Sequence, residues 1–313
     1  MISSTEEFKY DVIRGLSNTP KTLKAKYFYD AQGSLLFEEI TKQAEYYLTR
    51  CDESILQDAC DDLSKRFGNH VSLIEFGSGS SKKTRHLLRG LSLDIYLPLD
   101  ISANFLADSA NLLGQEFPNL KIEPIPADYT KKIELPNVIS AQSTKVVFFS
   151  GSTIGNFEPP RALVILQNIA ELIRDGGYLL IGVDLQKDLQ ILEAAYNDRA
   201  GITAQFNLGI LRRSNQELGT NFQLDQFQHK AFYNDEKHRI EMHLRSLKDQ
   251  EVSLDEHVFT FAKNETIHTE NSYKYSLESF KQLAKQAGLE RVSYYTDPKS
   301  YFSNQLFTFA PHK

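Results

Sequence analysis

Val71–Phe76 (VSLIEF) is an apolar run of strand length that leads into Gly77-Ser78-Gly79. Such a run reads as a strand buried on both faces, and a sheet of such strands needs helices on either side. This alone points to a layered α/β architecture. The next hundred residues keep the rhythm. Residues 82–91 read as a helix with Leu87, Leu88 and Leu91 apolar, 95–99 as a second strand closed by Asp100, and 103–117 as a helix. Residues 121–125 and 145–149 read as the third and fourth strands. Residues 159–174 carry Leu163, Leu166, Ala170 and Ile173 on one helical stripe, with Pro at the start and Gly176-Gly177 past the end. Residues 178–183 follow as a fifth strand. Strands spaced by helices at this interval predict a mostly parallel, doubly wound sheet. A helix over 277–287 then leads to 291–296 and 305–310, two strands close enough to pair antiparallel.

Between residues 186 and 275 the alternation fails, and 239–247 and 257–261 read as antiparallel strands. The first 50 residues are dense in aromatics, among them Tyr27, Phe28, Tyr29, Phe37, Tyr46 and Tyr47. We expect a core from residues 51–186 and 277–313, with 1–50 and 187–276 forming an α+β lid or insert. The net charge of −6, with no basic run, lacks the positive surface that phosphates require, so no nucleic-acid partner is expected. Cys51 and Cys60 are too few for a disulfide framework or a zinc site, and no histidine spacing points to a metal. The opening residues have no signal-peptide pattern, and no segment approaches the ~18–20 apolar residues that span a bilayer. The expectation is a monomeric cytoplasmic protein, without membrane association or metal, that acts on a small molecule.

Three ligands compete for the loop after the first strand. A dinucleotide fingerprint would place its third glycine at Lys82, and a phosphate-binding Walker loop would need glycine there too. The third pattern, acidic-x-G-x-G, is met by Glu75, Gly77 and Gly79. It belongs to class I methyltransferases, whose cofactor S-adenosylmethionine (SAM) has no phosphates to cradle. Asp100 closes the second strand, where a carboxylate can accept both ribose hydroxyls. Asp128 follows the third strand, suited to the adenine amino group, with Tyr129 beside the ring. Each acid alone is an ordinary loop carboxylate, and the pair beside the glycine loop favours the cofactor.

Longer motifs run from about residue 10 to the last strand: Phe28-Tyr29-Asp30, Glu45-Tyr46-Tyr47-Leu48-Thr49-Arg50, Gly151-Ser152-Thr153-Ile154-Gly155-Asn156-Phe157, Ala195-Tyr196-Asn197-Asp198, Gly201-Ile202-Thr203-Ala204, Ile240-Glu241-Met242 and Thr269-Glu270-Asn271-Ser272. With these the chain closely resembles the histidine-specific N-methyltransferases of ergothioneine biosynthesis, which form hercynine. The resemblance implies a class I methyltransferase fold: a Rossmann-like, mostly parallel seven-stranded sheet with an inserted α+β substrate-binding domain. It implies that Asn156 and Tyr196 hold the substrate carboxylate, that Glu270 and Ser272 read the imidazole, and that Tyr29, Tyr46, Thr203, Met242 and Asn271 complete the histidine site. Gly77, Ser78, Gly79, Lys83, Asp100, Asp128, Tyr129, Gly151 and Ser152 become the cofactor set. A carboxylate accepts from a ring N–H, and neutral amide and phenol donors suit a carboxylate. No general base is assigned. Two other readings stay open: a same-fold enzyme methylating another amino acid such as tryptophan, and a non-catalytic SAM- or nucleotide-binding scaffold.

Overall fold

A computed structural model describes residues 4–79 and 83–310. The chain divides into two compact units, one of residues 1–47 and 187–272, the other of 48–186 and 273–313.

The larger unit is built on one mixed sheet. From edge to edge its strands are Leu289–Thr296, Phe302–Phe309, Tyr178–Asp184, Thr144–Phe149, Val71–Phe76 and Leu93–Asp100, then two short pieces, Lys121–Ile122 and Ile125–Pro126. The strands from Val71 to Asp184 are parallel, and the last two pair antiparallel, as their proximity in sequence predicts. The expected third strand over 121–125 is split. Pro124 has no N–H to give a ladder, so pairing to Leu93–Asp100 stops after Ile122 and resumes at Ile125. Counted as one, the two pieces give the seven strands expected of a class I methyltransferase sheet.

Both faces of this sheet are covered. Ile74, Phe76, Leu97 and Val147 pack with Ile165, Leu166 and Ile169 of the Pro159–Leu172 helix and Phe280 of Leu277–Gln286. Leu73, Tyr96, Val146 and Phe148 pack instead with Leu56, Leu63 and Phe67 of the Tyr47–Phe67 helix and with Leu87 of Thr84–Gly90. The Leu277–Gln286 helix opens on a capping box between Ser276 and Ser279, which satisfies two of its free amides.

The smaller unit holds a four-stranded sheet in the order Lys21–Thr22, Thr266–Tyr273, Arg239–Ser246, Phe227–Asn234, and a separate hairpin of Gln250–Leu254 with His257–Phe261. The seventeen-residue helix Ile202–Leu218 packs near this sheet and against the Ala31–Ile40 helix. Sequence periodicity gives no notice of that helix, because Thr203, Asn207 and Ser214 are among its buried positions. Its start is set by Gly201, at φ +71°, and by Asp198, whose carboxylate accepts from the amides of Ile202 and Thr203 at 2.8 Å each. Among the described residues, no helix is long and apolar enough to cross a membrane.

Candidate active site

The cofactor candidates of the larger unit lie at the carboxyl ends of its parallel strands, where ligands bind in open α/β sheets. Gly77 and Gly79 have φ of +70° and +49°, the left-handed region that glycine enters without strain. A Cβ on Gly77 would be in van der Waals contact with the Tyr129 ring at 3.4 Å, whereas no described residue lies within 4 Å of one built on Gly79. The Gly79 amide donates to Asp100 Oδ2 at 3.2 Å, and the other oxygen of Asp100 accepts from the Ser102 amide. The Ser78 hydroxyl is buried and has no hydrogen-bond partner among the described residues. Ser80, Ser81 and Lys82, which include the expected helix start, lie outside the described residues.

The loop after Thr144–Phe149 also turns left-handed, at Gly151 (φ +69°) and at Ser152 (φ +57°). Positive φ is uncommon for serine, and here the Ser152 hydroxyl accepts from the Asp184 amide at 2.9 Å. Asn156 ends the short 3-10 turn Thr153–Asn156 and is half-buried. Tyr129 packs its ring against Phe76 and Phe149, with centroids 5.9 and 5.4 Å away. Burial, reinforced by the charges of Asp100 and Asp128, pushes its phenol pKa up. Burial also works to raise the Asp128 carboxyl. Hydrogen bonds from the Thr130 hydroxyl and amide, with the charge of Lys131, outweigh it and keep Asp128 ionised.

These residues fit SAM. Among the described residues nothing crowds a Cβ at Gly79 and the buried Ser78 hydroxyl has no partner, while the Asp100 and Asp128 carboxylates stand near the loop and Tyr129.

Glu75, the acid of the loop motif, does a different job. It is 1% exposed and accepts from the Thr84 hydroxyl at 2.6 Å and from the Tyr96 hydroxyl, tying the strand to the next helix and strand. Burial pushes its carboxyl up, the two hydrogen bonds pull it back, and the result is about 7. The folded chain therefore holds this proton more tightly than the unfolded chain, where a glutamate titrates near about 4.3. The stabilisation is complete below that value and is lost as pH rises toward 7. Glu75→Gln carries no titrating group. It is expected to flatten that part of the decline in melting temperature between about pH 4.5 and 7. An equally steep decline in the variant would place the effect on another residue.

The smaller unit gathers most of the substrate candidates. Tyr29, more than a third exposed, sets its ring edge-on to Phe37 (5.8 Å) and Phe206 (5.6 Å). Phe37 meets Tyr46 at 6.3 Å, and Tyr46 meets Tyr196 at 6.4 Å, both edge-on. At the end of this aromatic run the Tyr196 hydroxyl donates to Ser272 Oγ at 2.8 Å, with both residues buried. Glu270 and Asn271 are half-buried on the same strand as Ser272. Met242 is buried on the neighbouring strand, and Thr203 is buried at the head of its helix.

A buried network absent from the sequence reading holds these pieces. Asn207, fully buried, accepts from Thr269 Oγ1 (2.7 Å) and donates to the His243 carbonyl (3.1 Å) and to His229 Nδ1 (2.9 Å). His229 Nε2 then donates to the Tyr196 carbonyl at 2.8 Å. The partners fix the tautomer: Nδ1 accepts and Nε2 carries the proton. Burial lowers the His229 pKa, which keeps the ring neutral in this role.

Glu241, His243 and His268 bring potential metal-ligand atoms within 4.8 Å of one another, which their sequence spacing does not reveal. Arg239 already contacts Glu241 at 2.7 Å, and Asn234 does so at 3.0 Å. Burial works to raise the Glu241 carboxyl, but the bonds from Arg239 and His243 hold it down at about 2. The two imidazoles stack at 4.8 Å. With the acid's charge balanced by a guanidinium, the group forms a packed polar wall.

Residues 8–309 match the family model described as histidine-specific methyltransferase, SAM-dependent. The chain belongs to that family. It is 38% identical to a histidine N-alpha-methyltransferase of Mycolicibacterium smegmatis, over 97% of this chain and 95% of that protein. It is 37% identical to a protein of the same name from Mycobacterium tuberculosis, over 95% of this chain and 93% of that one. Among solved structures, the mitomycin 7-O-methyltransferase MmcR aligns with a TM-score of 0.52 at 12% identity, over 98% of this chain and 69% of its own, a likeness of fold alone. As a member of the family, the chain is a SAM-dependent methyltransferase that acts on a small molecule.

Proposed function

We propose that this methyltransferase converts L-histidine to hercynine by three successive methylations of the α-amino nitrogen. The geometric observation that carries the reading is the buried Tyr196–Ser272 hydrogen bond at the end of an aromatic run. Bound SAM supplies the electrophilic methyl group. We assign the smaller unit to substrate binding and residues 77–79, 83, 100, 128–129 and 151–152 of the larger unit to the cofactor.

In this reading the Tyr196 hydroxyl turns its proton from Ser272 Oγ to the substrate carboxylate, for which a neutral phenol donor is suited. Glu270 accepts from an imidazole N–H, and Ser272 meets the other ring nitrogen. Tyr29, Tyr46, Met242, Thr203 and Asn271 shape the remaining walls. The amine must be neutral to attack, yet it is mostly protonated near neutral pH. The residues' main contribution is alignment, which for well-oriented reactants is worth about 7–11 kcal/mol. No side chain is assigned as the general base.

The test is incubation of the purified chain with SAM and L-histidine, followed by mass spectrometry. Products carrying one, two and three added methyls are expected. Binding of SAM without a histidine product would leave the scaffold reading, and preferential methylation of tryptophan would reassign the substrate.

A further inference from the structure

Asp52 is a fully buried carboxylate in the Tyr47–Phe67 helix, and no sequence motif marks it as functional. A buried carboxylate is costly unless donors converge on it. Here three do, from three separate segments. Lys83 Nζ lies 3.0 Å from Oδ2, the Gly151 amide donates to the same oxygen at 3.0 Å, and Asn304 Nδ2 donates to Oδ1 at 2.8 Å. Lys83 stands at the head of the Thr84–Gly90 helix, Gly151 just after the Thr144–Phe149 strand, and Asn304, itself fully buried, on the Phe302–Phe309 strand. The fit is tight. A Cβ on Gly151 would lie 2.8 Å from the Lys83 ammonium, and Gly151 itself sits at φ +69°, a region that glycine enters without strain.

We infer that Asp52 is a positioning residue for the cofactor, acting through Lys83. The inference rests on the assignment of Lys83 and Gly151 to the SAM site. A lysine on a glycine-rich turn otherwise samples many rotamers; tied to Asp52, its ammonium keeps a fixed place. The Lys83 side chain remains 20% exposed, and one ammonium has three donors, so the tie to Asp52 leaves capacity for a ligand. The methionyl end of SAM is a zwitterion, and its carboxylate suits an ammonium held in place. Asp52 also fixes the neighbouring Gly151 amide, coupling the two loops through one carboxylate.

The test is a double-mutant cycle read by calorimetric titration of SAM into the full-length wild type, Asp52→Asn, Lys83→Ala and the double variant. The wild type must bind SAM; failure there overturns the cofactor assignment and the inference with it. Asp52→Asn is expected to weaken SAM binding by about tenfold while the KM for histidine at saturating SAM stays within about twofold. In the Lys83→Ala background the same change is expected to cost less than about twofold, because the residue it acts through is gone. An unchanged SAM affinity in Asp52→Asn, or an equal loss in both backgrounds, overturns the inference while leaving the cofactor assignment intact. If Asp52→Asn does not fold, Asn304→Ala runs the same cycle by the same criteria.

Discussion

Glu270→Ala is expected to lower kcat/KM for histidine by about 100-fold while SAM affinity stays within about twofold. A hydrogen bond to a charged group is worth about 1.5–3 kcal/mol, and removing the carboxylate also strands an imidazole N–H in a partly desolvated pocket. The strand that carries Glu270 also has ties made by other groups. The strand is held by Thr269 through Asn207, by Ser272 through Tyr196, and by the Glu270 carbonyl, which lies 3.1 Å from His268 Nε2. Loss of activity in a folded variant therefore reports recognition. Glu270→Gln keeps an acceptor without the charge, so its loss is expected to be smaller. Steady-state kinetics with histidine varied at saturating SAM, alongside calorimetry with SAM, separates the two sites. Unchanged kinetics with histidine would remove Glu270 from ring recognition.

The core strands are legible in the sequence because each is buried on both faces, and a continuous apolar run between turn signals has few other readings. The break at Pro124 is missed when 121–125 is read as one strand, because periodicity does not weigh proline's missing N–H against the ladder. The smaller unit is harder for a physical reason. Its Ile202–Leu218 helix buries Thr203, Asn207 and Ser214, so its inner stripe is partly polar and periodicity fades. The Tyr47–Phe67 helix does carry a stripe, Leu48, Ile55, Leu56, Ala59, Leu63 and Phe67, all buried, within a stretch rich in charged residues. The candidate site splits along the same line. Glycines at positive φ and acids at strand ends are local signals, and the substrate motifs are visible through family resemblance. Asp52 has neither advantage: its donors lie 31, 99 and 252 residues away, so only the fold brings them together. Asn207 is hidden likewise, with partners on three different strands.

The largest stability effect is expected at the ion pair of Lys274 and Asp184. Their charged groups are 2.6 Å apart, and both side chains are completely buried. Asp184 ends the Tyr178–Asp184 strand, and its amide is the donor that holds the Ser152 hydroxyl. Around it the chain is tied by Tyr275 N to the Asp184 carbonyl and Gln186 N to the Tyr275 carbonyl. Lys274→Met keeps most of the side-chain volume and leaves a buried carboxylate without its cation, a change that costs roughly 3–5 kcal/mol. For a domain of about 150–250 residues each kcal/mol shifts the midpoint by about 2–4 °C, so a drop on the order of 10 °C is expected. Adding Asp184→Leu removes the stranded charge, and an apolar replacement of a buried pair is often neutral. The double variant should therefore recover much of the loss. A ligand that binds only the folded state stabilises it by mass action, so SAM at about 100 times its Kd should return about 2.7 kcal/mol to the single variant. Denaturant midpoints for wild type, the single variant and the double variant decide the matter. A single variant within about 1 kcal/mol of wild type would mean that water or backbone rearrangement reaches Asp184 and solvates it in place of Lys274.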